Sequence, residues 1–509
     1  MRIKSVLKNS TYSIASYGIL AVLGLINRKA FVYFLGIELL GYEGLFANIF
    51  SILSLAELGV SSVITYSLYE EIVNDNEAEI AKLMMIYQLM YRIIGFAVTI
   101  IGIILFFFLP YIIKDNTINW NYVRIIYLVQ LIATVCTYFL SYKRILYVTD
   151  QKEFVCVKVD TLIKIVMLIV QTIIIVFLKN YILYLLCTVF SNIIANIIIA
   201  RKCDKAYPYA KKAKITFADF KKRHFFKDLK NFLVHKISYV VYGGTDNIVI
   251  SAILGIQSVA LYSNYVLIKN QIISINNKIM QPMQASIGNL IYTENKEKAK
   301  ELFNLFDLLS FFFAAFVGTS YSVLFQPFIA LWLGDQYLLP VSFVFFLAFN
   351  EFLGCHFQIL CLYRNAFGSY ENDKKYMVLS AITNLILSIG LAPFWGITGI
   401  VFGTVIGHLF IIYGRMQFVF RLYFKTSMKH YILVHLGEIG IAVIEFLLTY
   451  KIALLLPNTF IGFMGKIGLC LLIPTGINLI IFMRTKEFSY LRVYGKTIVK
   501  LLKGKSVDK

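Results

Sequence analysis

The chain has 509 residues, of which 59% are hydrophobic and only 15% charged, and its mean hydropathy is +0.74. A soluble domain has about a quarter of its residues charged, so the composition excludes an ordinary soluble protein. Apolar runs of roughly 20 residues recur along the chain, each long enough to cross about 30 Å of hydrocarbon as a helix. The short alternating strands of a membrane barrel do not occur in the pattern. The predicted fold class is therefore an all-α integral membrane protein.

The net charge of +21 does not indicate nucleic-acid binding, because the cations cluster in particular loops and at the tail. Clusters of this kind are topology signals of membrane proteins. The seven cysteines form no CxxC motif, so neither a disulfide framework nor a zinc site is predicted. His356 beside Cys355 is attributed to membrane packing, and the six histidines are expected to form no dyad.

The hydropathy pattern predicts fourteen transmembrane spans. They lie at 10–36, 41–68, 79–109, 120–147, 155–178, 180–202, 231–254, 258–291, 302–332, 340–366, 374–395, 397–422, 430–454 and 461–483. An even number of spans places both termini on one side of the membrane. The lysines and arginines that flank this side predict that it is cytoplasmic.

The sequence also contains an internal repeat. LGIELLGYEGLF (35–46) aligns with LGIQSVALYSNY (254–265), and SYKRILYVTDQ (141–151) aligns with LYRNAFGSYEN (362–372), at offsets of 219 and 221. Six spans thereby map onto the next six in one orientation, which predicts two six-helix lobes related by a pseudo-twofold axis along the membrane normal. The predicted domains are an N-lobe at 1–202 (spans 1–6), a basic amphipathic cytoplasmic linker at 203–230, a C-lobe at 231–425 (spans 7–12), two extra C-terminal spans at 426–483 and a basic cytoplasmic tail at 484–509.

Arg28 and Lys29 lie inside the first apolar span. A charged side chain at mid-membrane costs roughly 2.5–3.5 kcal/mol on insertion scales and usually faces an interior or a watery cavity. Arg28 shares its helical face with small or semi-polar residues. Lys29 is turned about 100° away and lies near the outer end, where its side chain is able to snorkel. Arg28 is therefore the predicted cation of a cavity wall.

Span 8 carries a stripe of amide and hydroxyl side chains at helical spacing, with Lys278 on it and Lys269 on another face. The stripe residues predicted to line a cavity are Asn264, Asn270, Ser274, Asn277, Gln281 and Gln284. Such a stripe does not suit a helix that faces lipid on all sides, so span 8 is predicted to border a water-filled space.

Spans 2 and 7 supply further intramembrane polar groups, at places equivalent to spans 8 and 1 in the predicted repeat. Span 2 has a milder polar stripe that includes Asn48, Ser51 and Glu57. In span 7, two glycines in YGGTDN (242–247) weaken the helix just before Asp246. Broken helices at mid-membrane often hold ion or substrate sites.

Simpler structural roles compete with these functional ones. Arg28 and Asp246 could form a buried ion pair that only holds the lobes together, and Glu57 could serve packing alone. Arg92, near the cytoplasmic end of span 3, is either a snorkelling anchor or a further cation of the cavity.

Several stretches resemble a known family. They are LGIELLGYEGLFANIFSILSLAELG (35–59), TYSLYE (65–70), GGTDNIVIS (243–251), GIQSVALYSNY (255–265) and SIGNL (286–290). They resemble bacterial polysaccharide repeat-unit flippases of the Wzx type, in the MOP exporter superfamily that also holds the lipid II flippases and MATE drug exporters. The resemblance implies two six-helix lobes around a central cationic cavity to which Arg28 contributes. It also implies transport of an undecaprenyl-diphosphate-linked oligosaccharide from the inner to the outer leaflet of the bacterial cytoplasmic membrane.

The predicted site follows from this resemblance together with the polar residues. The predicted diphosphate-binding residues are Arg28, Lys278, Lys269 and Arg92, with the stripes of spans 2 and 8 facing the sugars. Asp246 and Glu57 are candidates for coupling to a proton or sodium gradient. No catalytic residue, metal or cofactor is predicted. The expected partners are the lipid-linked oligosaccharide, the bilayer, and a polymerase and glycosyltransferases of one pathway for capsule, exopolysaccharide or O-antigen-type assembly.

Other classes of protein remain as alternatives. A MATE-like drug exporter or a lipid II flippase would share the superfamily, although a drug exporter is expected to prefer acidic and aromatic cavity residues. A membrane polymerase or acyltransferase would need large outer loops or clustered catalytic residues, which the sequence does not indicate. A structural scaffold would leave the polar stripe of span 8 without a purpose.

Overall fold

The computed structural model describes residues 2–57, 60–113, 119–211, 213, 237–238, 240–293, 296–367 and 372–492. All regular elements within these ranges are helical. The helices are α1 (Arg2–Leu35), α2 (Glu38–Leu53), α3 (Val60–Val73), α4 (Glu77–Ile112), α5 (Trp120–Leu140), α6 (Arg144–Thr149), α7 (Phe154–Ile173), α8 (Tyr181–Ala206), α9 (Asp246–Leu254), α10 (Ile256–Thr293), α11 (Lys296–Trp332), α12 (Val341–His356), α13 (Gln358–Ala366), α14 (Lys374–Trp395), α15 (Ile397–Met416), α16 (Met428–Leu454) and α17 (Phe460–Phe482). Short 3₁₀ turns lie at Ser54–Glu57, Pro208–Lys211 and Asp335–Tyr337, and wider π turns at Ile174–Leu178 and Gln417–Phe424.

Ten of the described helices are long and apolar enough to cross a membrane. The pair α12 and α13 adds an eleventh if it counts as one span bent by 41°. The predicted all-α membrane fold class is therefore confirmed. The three other predicted spans are 2, 7 and 8, the polar segments singled out in the sequence, and the total of fourteen stays a prediction.

Span 2, predicted as one helix at 41–68, is broken in the structure. Helix α2 ends at Leu53, a 3₁₀ turn follows at Ser54–Glu57, and α3 begins at Val60. The Ser54 hydroxyl donates to the carbonyl oxygen of Ser51 at 2.6 Å. Serine side chains that bond to their own backbone compete with the helical ladder, which explains an interruption in this serine-containing stretch.

The chain divides into two compact units inside α10, between Leu267 and Ile268. The start of α10 belongs to the first unit because α2 lies directly against it. A Cβ atom on Gly41 would lie only 2.3 Å from the carbonyl oxygen of Ile256. The lobes at 1–202 and 231–425 were drawn from the repeat alone and stay a prediction. Most of the predicted linker at 203–230 and of the tail at 484–509 lies outside the described residues.

The same backbone turn opens each half of the internal repeat. Gly36, between α1 and α2, has φ +84°, and Gly255, between α9 and α10, has φ +89°. Glycine adopts this left-handed conformation without the steric cost that a side chain brings. The helix pairs α4 and α11, α5 and α12, and α7 and α14 begin 219, 221 and 220 residues apart. These spacings agree with the offsets of the sequence repeat.

Candidate functional site

Helix α1 is fixed in the first unit by contacts on the side that faces α7 and α8. The Asn27 amide donates to the Thr172 hydroxyl at 3.0 Å, and the Tyr184 hydroxyl donates to the Asn27 amide oxygen at 3.3 Å. Phe31, one turn further along, packs edge-on against Tyr181 and Tyr184 with ring centroids 5.4 and 5.2 Å away. These contacts set the rotation of α1 and leave Arg28 on the side of α2 and α10.

The Arg28 guanidinium contacts three polar side chains inside the first unit. Its Nε donates to Oδ1 of Asn264 at 3.1 Å, and its Nη2 donates to Oγ of Ser263 at 2.5 Å. Its Nη1 lies 3.6 Å from Oε2 of Glu43. The Arg28 side chain is 12% exposed. The cation of the first span therefore lies in a polar interior instead of projecting into acyl chains.

Two polar atoms beside Arg28 have no hydrogen-bond partner among the described residues. They are Oε2 of Glu43 and Nδ2 of Asn264, and both atoms are buried. Native proteins leave few buried polar groups unpaired, so each one calls for an explanation. Among the described residues, the arrangement offers a cation and an amide donor without a partner, and Glu43, the carboxylate paired with Arg28, is held beyond hydrogen-bond distance.

Close packing of α2 brings Ser263 and Asn264 within reach of Arg28. Gly44 lies against the start of α10, and a Cβ on it would lie 3.6 Å from the Cβ of Ser263. The Asn247 amide donates to the Gly44 carbonyl at 3.0 Å and ties α9 to α2. Asn247 is the residue that the repeat aligns with Arg28. Both residues contact the first half of α2, Asn247 at Gly44 and Arg28 at Glu43.

The predicted ion-coupling residues, Asp246 and Glu57, form hydrogen bonds with residues other than Arg28. Asp246 is buried at the start of α9 and accepts a hydrogen bond from the Tyr262 hydroxyl at 3.1 Å. The helix is interrupted at Thr245, directly after the two glycines that predicted a weak point. Glu57 accepts from the Tyr91 hydroxyl at 2.7 Å. The carboxylate beside Arg28 belongs to Glu43, which the sequence analysis did not name as a partner.

The other predicted cations with described side chains, Lys269 and Arg92, lie in surroundings different from those of Arg28. Lys269, in the second unit, lies 3.7 Å from the Glu351 carboxylate, and the two side chains are 19% and 9% exposed. Arg92 is exposed on α4. The side chain of Lys278 lies outside the described residues. The roles of Lys269, Arg92 and Lys278 in binding diphosphate stay predictions.

The described part of the polar stripe is only partly exposed. Asn270 and Asn277 are exposed, whereas Ser274 is half-buried. Asn277 accepts from the Gln358 amide at 3.3 Å, and the neighbouring Asn276, which was not predicted, also bonds to Gln358. On α2, the side chain of Asn48 is half-buried and that of Ser51 is exposed; the side chains of Gln281 and Gln284 lie outside the described residues.

A second polar cluster, in the second unit, contradicts the expectation that the histidines form no dyad. The rings of His356 and His435 stack with centroids 4.7 Å apart, and two carboxylates, Asp307 and Glu438, lie beside them. The two histidines are far apart in the chain, so no local motif could predict their contact. The one available signal was the presence of charged and titratable residues inside apolar spans 9 and 13.

Solved structures similar to this one define the class of the fold. The lipid II flippase MurJ in an inward closed conformation matches with a TM-score of 0.67 and 15% identity, over 93% of this chain and 99% of that one. An inward-facing multidrug resistance MATE family transporter of the MOP superfamily matches with a TM-score of 0.60 and 16% identity, over 80% and 98%. A MOP superfamily transporter from Pyrococcus furiosus gives 0.57 and 14%, over 81% and 95%. The chain is thus a multi-pass membrane protein with the fold of the MOP superfamily.

The sequence comparison identifies the family. Residues 6–287, more than half of the chain, match the family described as "Polysaccharide biosynthesis protein", and the chain belongs to this family. A search of curated proteins finds no match. The resemblance noted in the sequence is thereby confirmed at the level of family and fold.

Proposed function

We propose that the chain is a flippase for an undecaprenyl-diphosphate-linked oligosaccharide repeat unit, which it moves from the inner to the outer leaflet of the bacterial cytoplasmic membrane by alternating access. The observation that carries this proposal is the surroundings of Arg28. A guanidinium inside a membrane span is oriented by two neutral side chains, Ser263 and Asn264, and has a carboxylate 3.6 Å away. Such a group suits a lipid substrate with an anionic head.

The phosphate chemistry follows from which guanidinium atoms are engaged. Nε and Nη2 each donate to an oxygen atom, which sets the plane of the guanidinium, and Nη1 faces Glu43. Arginine offers several N–H donors in a planar fork that matches phosphate oxygens. Nδ2 of Asn264, whose Oδ1 holds Nε, has no partner among the described residues and is a further donor for a diphosphate. A diphosphate that binds at Nη1 in place of the Glu43 carboxylate exchanges one anion for another.

The rest of the substrate needs different surroundings. Sugar hydroxyls require amide and hydroxyl partners, which Asn270, Ser274 and Asn277 provide on α10. The polyprenyl tail requires only lipid. Lys269, Lys278 and Arg92 are the further cations available to the diphosphate once the lobes rearrange.

The membrane potential is a source of energy for this transport. Each negative charge that crosses the full field outward gains about 2.3 kcal/mol per 100 mV when the inside is negative. Asp246 and Glu57 are the proposed carboxylates for coupling to protons or sodium. A polymerase and glycosyltransferases of the same pathway are the proposed partners, because a flipped repeat unit must be made on one side and consumed on the other.

Replacement of Arg28 tests the proposal. In a strain that depends on this chain, Arg28→Ala is expected to stop export, so that lipid-linked oligosaccharide accumulates on the inner leaflet and surface polysaccharide falls. Lys29→Ala is the matched control, since it removes an adjacent cation whose side chain is exposed. Normal surface polysaccharide from stably expressed Arg28→Ala protein would overturn the role given to Arg28.

The buried carboxylate oxygen of Glu43 supports one alternative, a MATE-like exporter of cationic drugs. A carboxylate in a membrane interior attracts cations, whereas Arg28 beside it attracts anions. A drug-resistance profile of an expressing strain separates the two functions. Resistance that depends on Glu43 and survives Arg28→Ala would favour the drug exporter, and unchanged sensitivity to drugs would favour the flippase.

A further inference from the structure

Four ionisable side chains meet inside the second unit, where α11, α12 and α16 pack together. They are Asp307 on α11, His356 at the end of α12, and His435 and Glu438 on α16. Their side chains are 12%, 0%, 4% and 9% exposed, in that order. Burying charged or polar groups away from water is costly unless they are paired or bind a metal. The cluster therefore needs a partner that offsets this cost.

The hydrogen bonding of His435 defines which ring nitrogen is free. Its Nδ1 lies 2.9 Å from the carbonyl oxygen of Tyr431. A carbonyl only accepts hydrogen bonds, so Nδ1 carries the hydrogen and the Nε2 of the neutral ring presents a lone pair. That lone pair faces Oδ2 of Asp307 at 3.1 Å and Oε2 of Glu438 at 3.7 Å. A backbone carbonyl at one nitrogen is the usual support of a histidine that binds metal through the other.

His356 brings a second imidazole to the same point. Its side chain is fully buried, and neither ring nitrogen has a hydrogen-bond partner among the described residues. Its Nε2 lies 3.4 Å from Oε2 of Glu438. The ring stacks on His435 with a tilt of 29°, so the two Nε2 atoms both lie near the same carboxylate oxygen. With neither protons nor a metal ion between them, these lone pairs and carboxylate oxygens would repel one another.

We propose that His356, His435 and Glu438 bind a divalent transition-metal ion of the zinc type, with Asp307 as a supporting carboxylate beside His435. Zinc bonds of 2.0–2.1 Å in a tetrahedron place neighbouring ligand atoms about 3.3 Å apart. The two histidine Nε2 atoms lie 3.4 and 3.7 Å from Oε2 of Glu438, and the ligand atoms of these three residues all lie within 4.8 Å of one another. Two imidazoles favour zinc, nickel or copper over magnesium or calcium, which prefer oxygen ligands.

The site joins α16 to the end of α12. Three protein ligands leave the fourth position of a tetrahedral zinc ion to a water molecule. The Tyr431 hydroxyl donates to the other oxygen of Asp307 at 3.1 Å, which orients this supporting carboxylate beside His435. A cavity of ≈ 630 Å³ reaches Asp307, His435 and Glu438 and is also lined by Lys300 and His430. It gives an ion from solution a path to the ligands, as a metal site requires.

Metal content of the purified full-length chain tests the proposal. Protein prepared without a polyhistidine tag is expected to hold about one zinc ion per chain by mass spectrometry. His435→Gln and Glu438→Gln are expected to lose it, with Zn²⁺ affinity reduced beyond the ~10–100-fold that loss of a supporting partner costs. His430→Gln is the matched control, because His430 lines the same cavity but is exposed and outside the cluster. Metal retained equally by all variants, or absent from the wild type, would overturn the site.

A second measurement covers variants that fail to fold. Wild-type protein is treated with a chelator, and its thermal unfolding is followed before and after addition of Zn²⁺ or Mg²⁺. The chelator is expected to lower the unfolding temperature, with recovery by Zn²⁺ and not by Mg²⁺. Cobalt in place of zinc should give the visible absorption of a tetrahedral ion. No effect of the chelator would show that the pairs hold only protons, and equal recovery by Mg²⁺ would overturn the assignment to a zinc-type ion. Neither readout depends on transport.

Discussion

Arg28 donates from Nε to Oδ1 of Asn264 at 3.1 Å, although the two residues are 236 positions apart in the chain. The contact joins the first span to the start of α10 inside one compact unit. A buried arginine that is oriented in this way is a directional donor as well as a charge. The geometry of the Arg28 guanidinium should therefore matter as much as its positive charge.

Arg28→Lys separates geometry from charge. Lysine keeps the positive charge but lacks the planar fork of donors. It therefore cannot bond to Asn264 and Ser263 and bind phosphate in the way that arginine does. We expect transport to fall at least about tenfold, which corresponds to about 1.4 kcal/mol. Export of lipid-linked oligosaccharide per expressed protein is the measurement. Full activity of Arg28→Lys would show that charge alone is required.

Glu43→Gln removes the carboxylate that competes with an anionic substrate. The amide keeps the size of the side chain, so we expect tighter binding of diphosphate by roughly 5–10-fold, about 1–1.4 kcal/mol. Titration of the detergent-solubilised protein with undecaprenyl diphosphate measures the change. Glu38→Gln serves as the control, since Glu38 is exposed on the same helix and bonds to Gln257. Weaker binding by Glu43→Gln would mean that Glu43 supports the site.

Gly41→Ala tests the close contact between α2 and α10. The added Cβ would lie 2.3 Å from the Ile256 carbonyl oxygen, so the helices must separate. Overpacking of this kind typically costs about 1–3 kcal/mol. Gly24→Ala on α1 meets nothing within 4 Å and should be neutral or slightly stabilising, because alanine is the better helix former. Thermal unfolding in detergent compares the two variants, and equal stability would contradict the close approach.

Arg144 and Asp160 form a bidentate pair that holds α6 against α7. The two N–H···O distances are 2.7 and 2.8 Å, and the side chains are 28% and 30% exposed. A double-mutant cycle should give a coupling energy of about 1 kcal/mol, at the upper end for exposed pairs because the geometry is forked.

The pair of Glu79 and Lys82, which lies within one helix and is similarly exposed, is the comparison for this cycle. It should give no more than about 0.5 kcal/mol. If the coupling energy of Arg144 and Asp160 is no larger than that value, the forked geometry adds no stability.

Most of the helices could be predicted from the sequence because apolar runs must be helical in lipid. The start of α14 at Lys374 and the weak point before Asp246 agree with the predicted positions. The break of span 2 after Leu53 was missed, since hydropathy does not register serine side chains that compete for backbone hydrogen bonds. The bend of 41° between α12 and α13 was also missed, because a single glycine near the end of α12, Gly354, is a weak signal on its own.

The candidate site could be predicted only in part. An arginine in an apolar span is visible in the sequence as an isolated charge, and Arg28 was predicted for that reason. Its partners could not be derived, because they depend on how α2 and α10 pack, which no local pattern determines. Glu43 was overlooked although it is a charge inside an apolar stretch. The contact of His356 with His435 likewise arises only when three separate helices assemble.

The position of Glu438 and His435 on α16 has a consequence for shortened versions of the chain. Helix α16 follows the predicted repeat, yet it contributes half of the buried polar cluster. A truncation after α15 would remove His435 and Glu438 and break their contacts with Asp307 and His356. A shortened chain must therefore keep α16 or exchange those two residues for apolar ones.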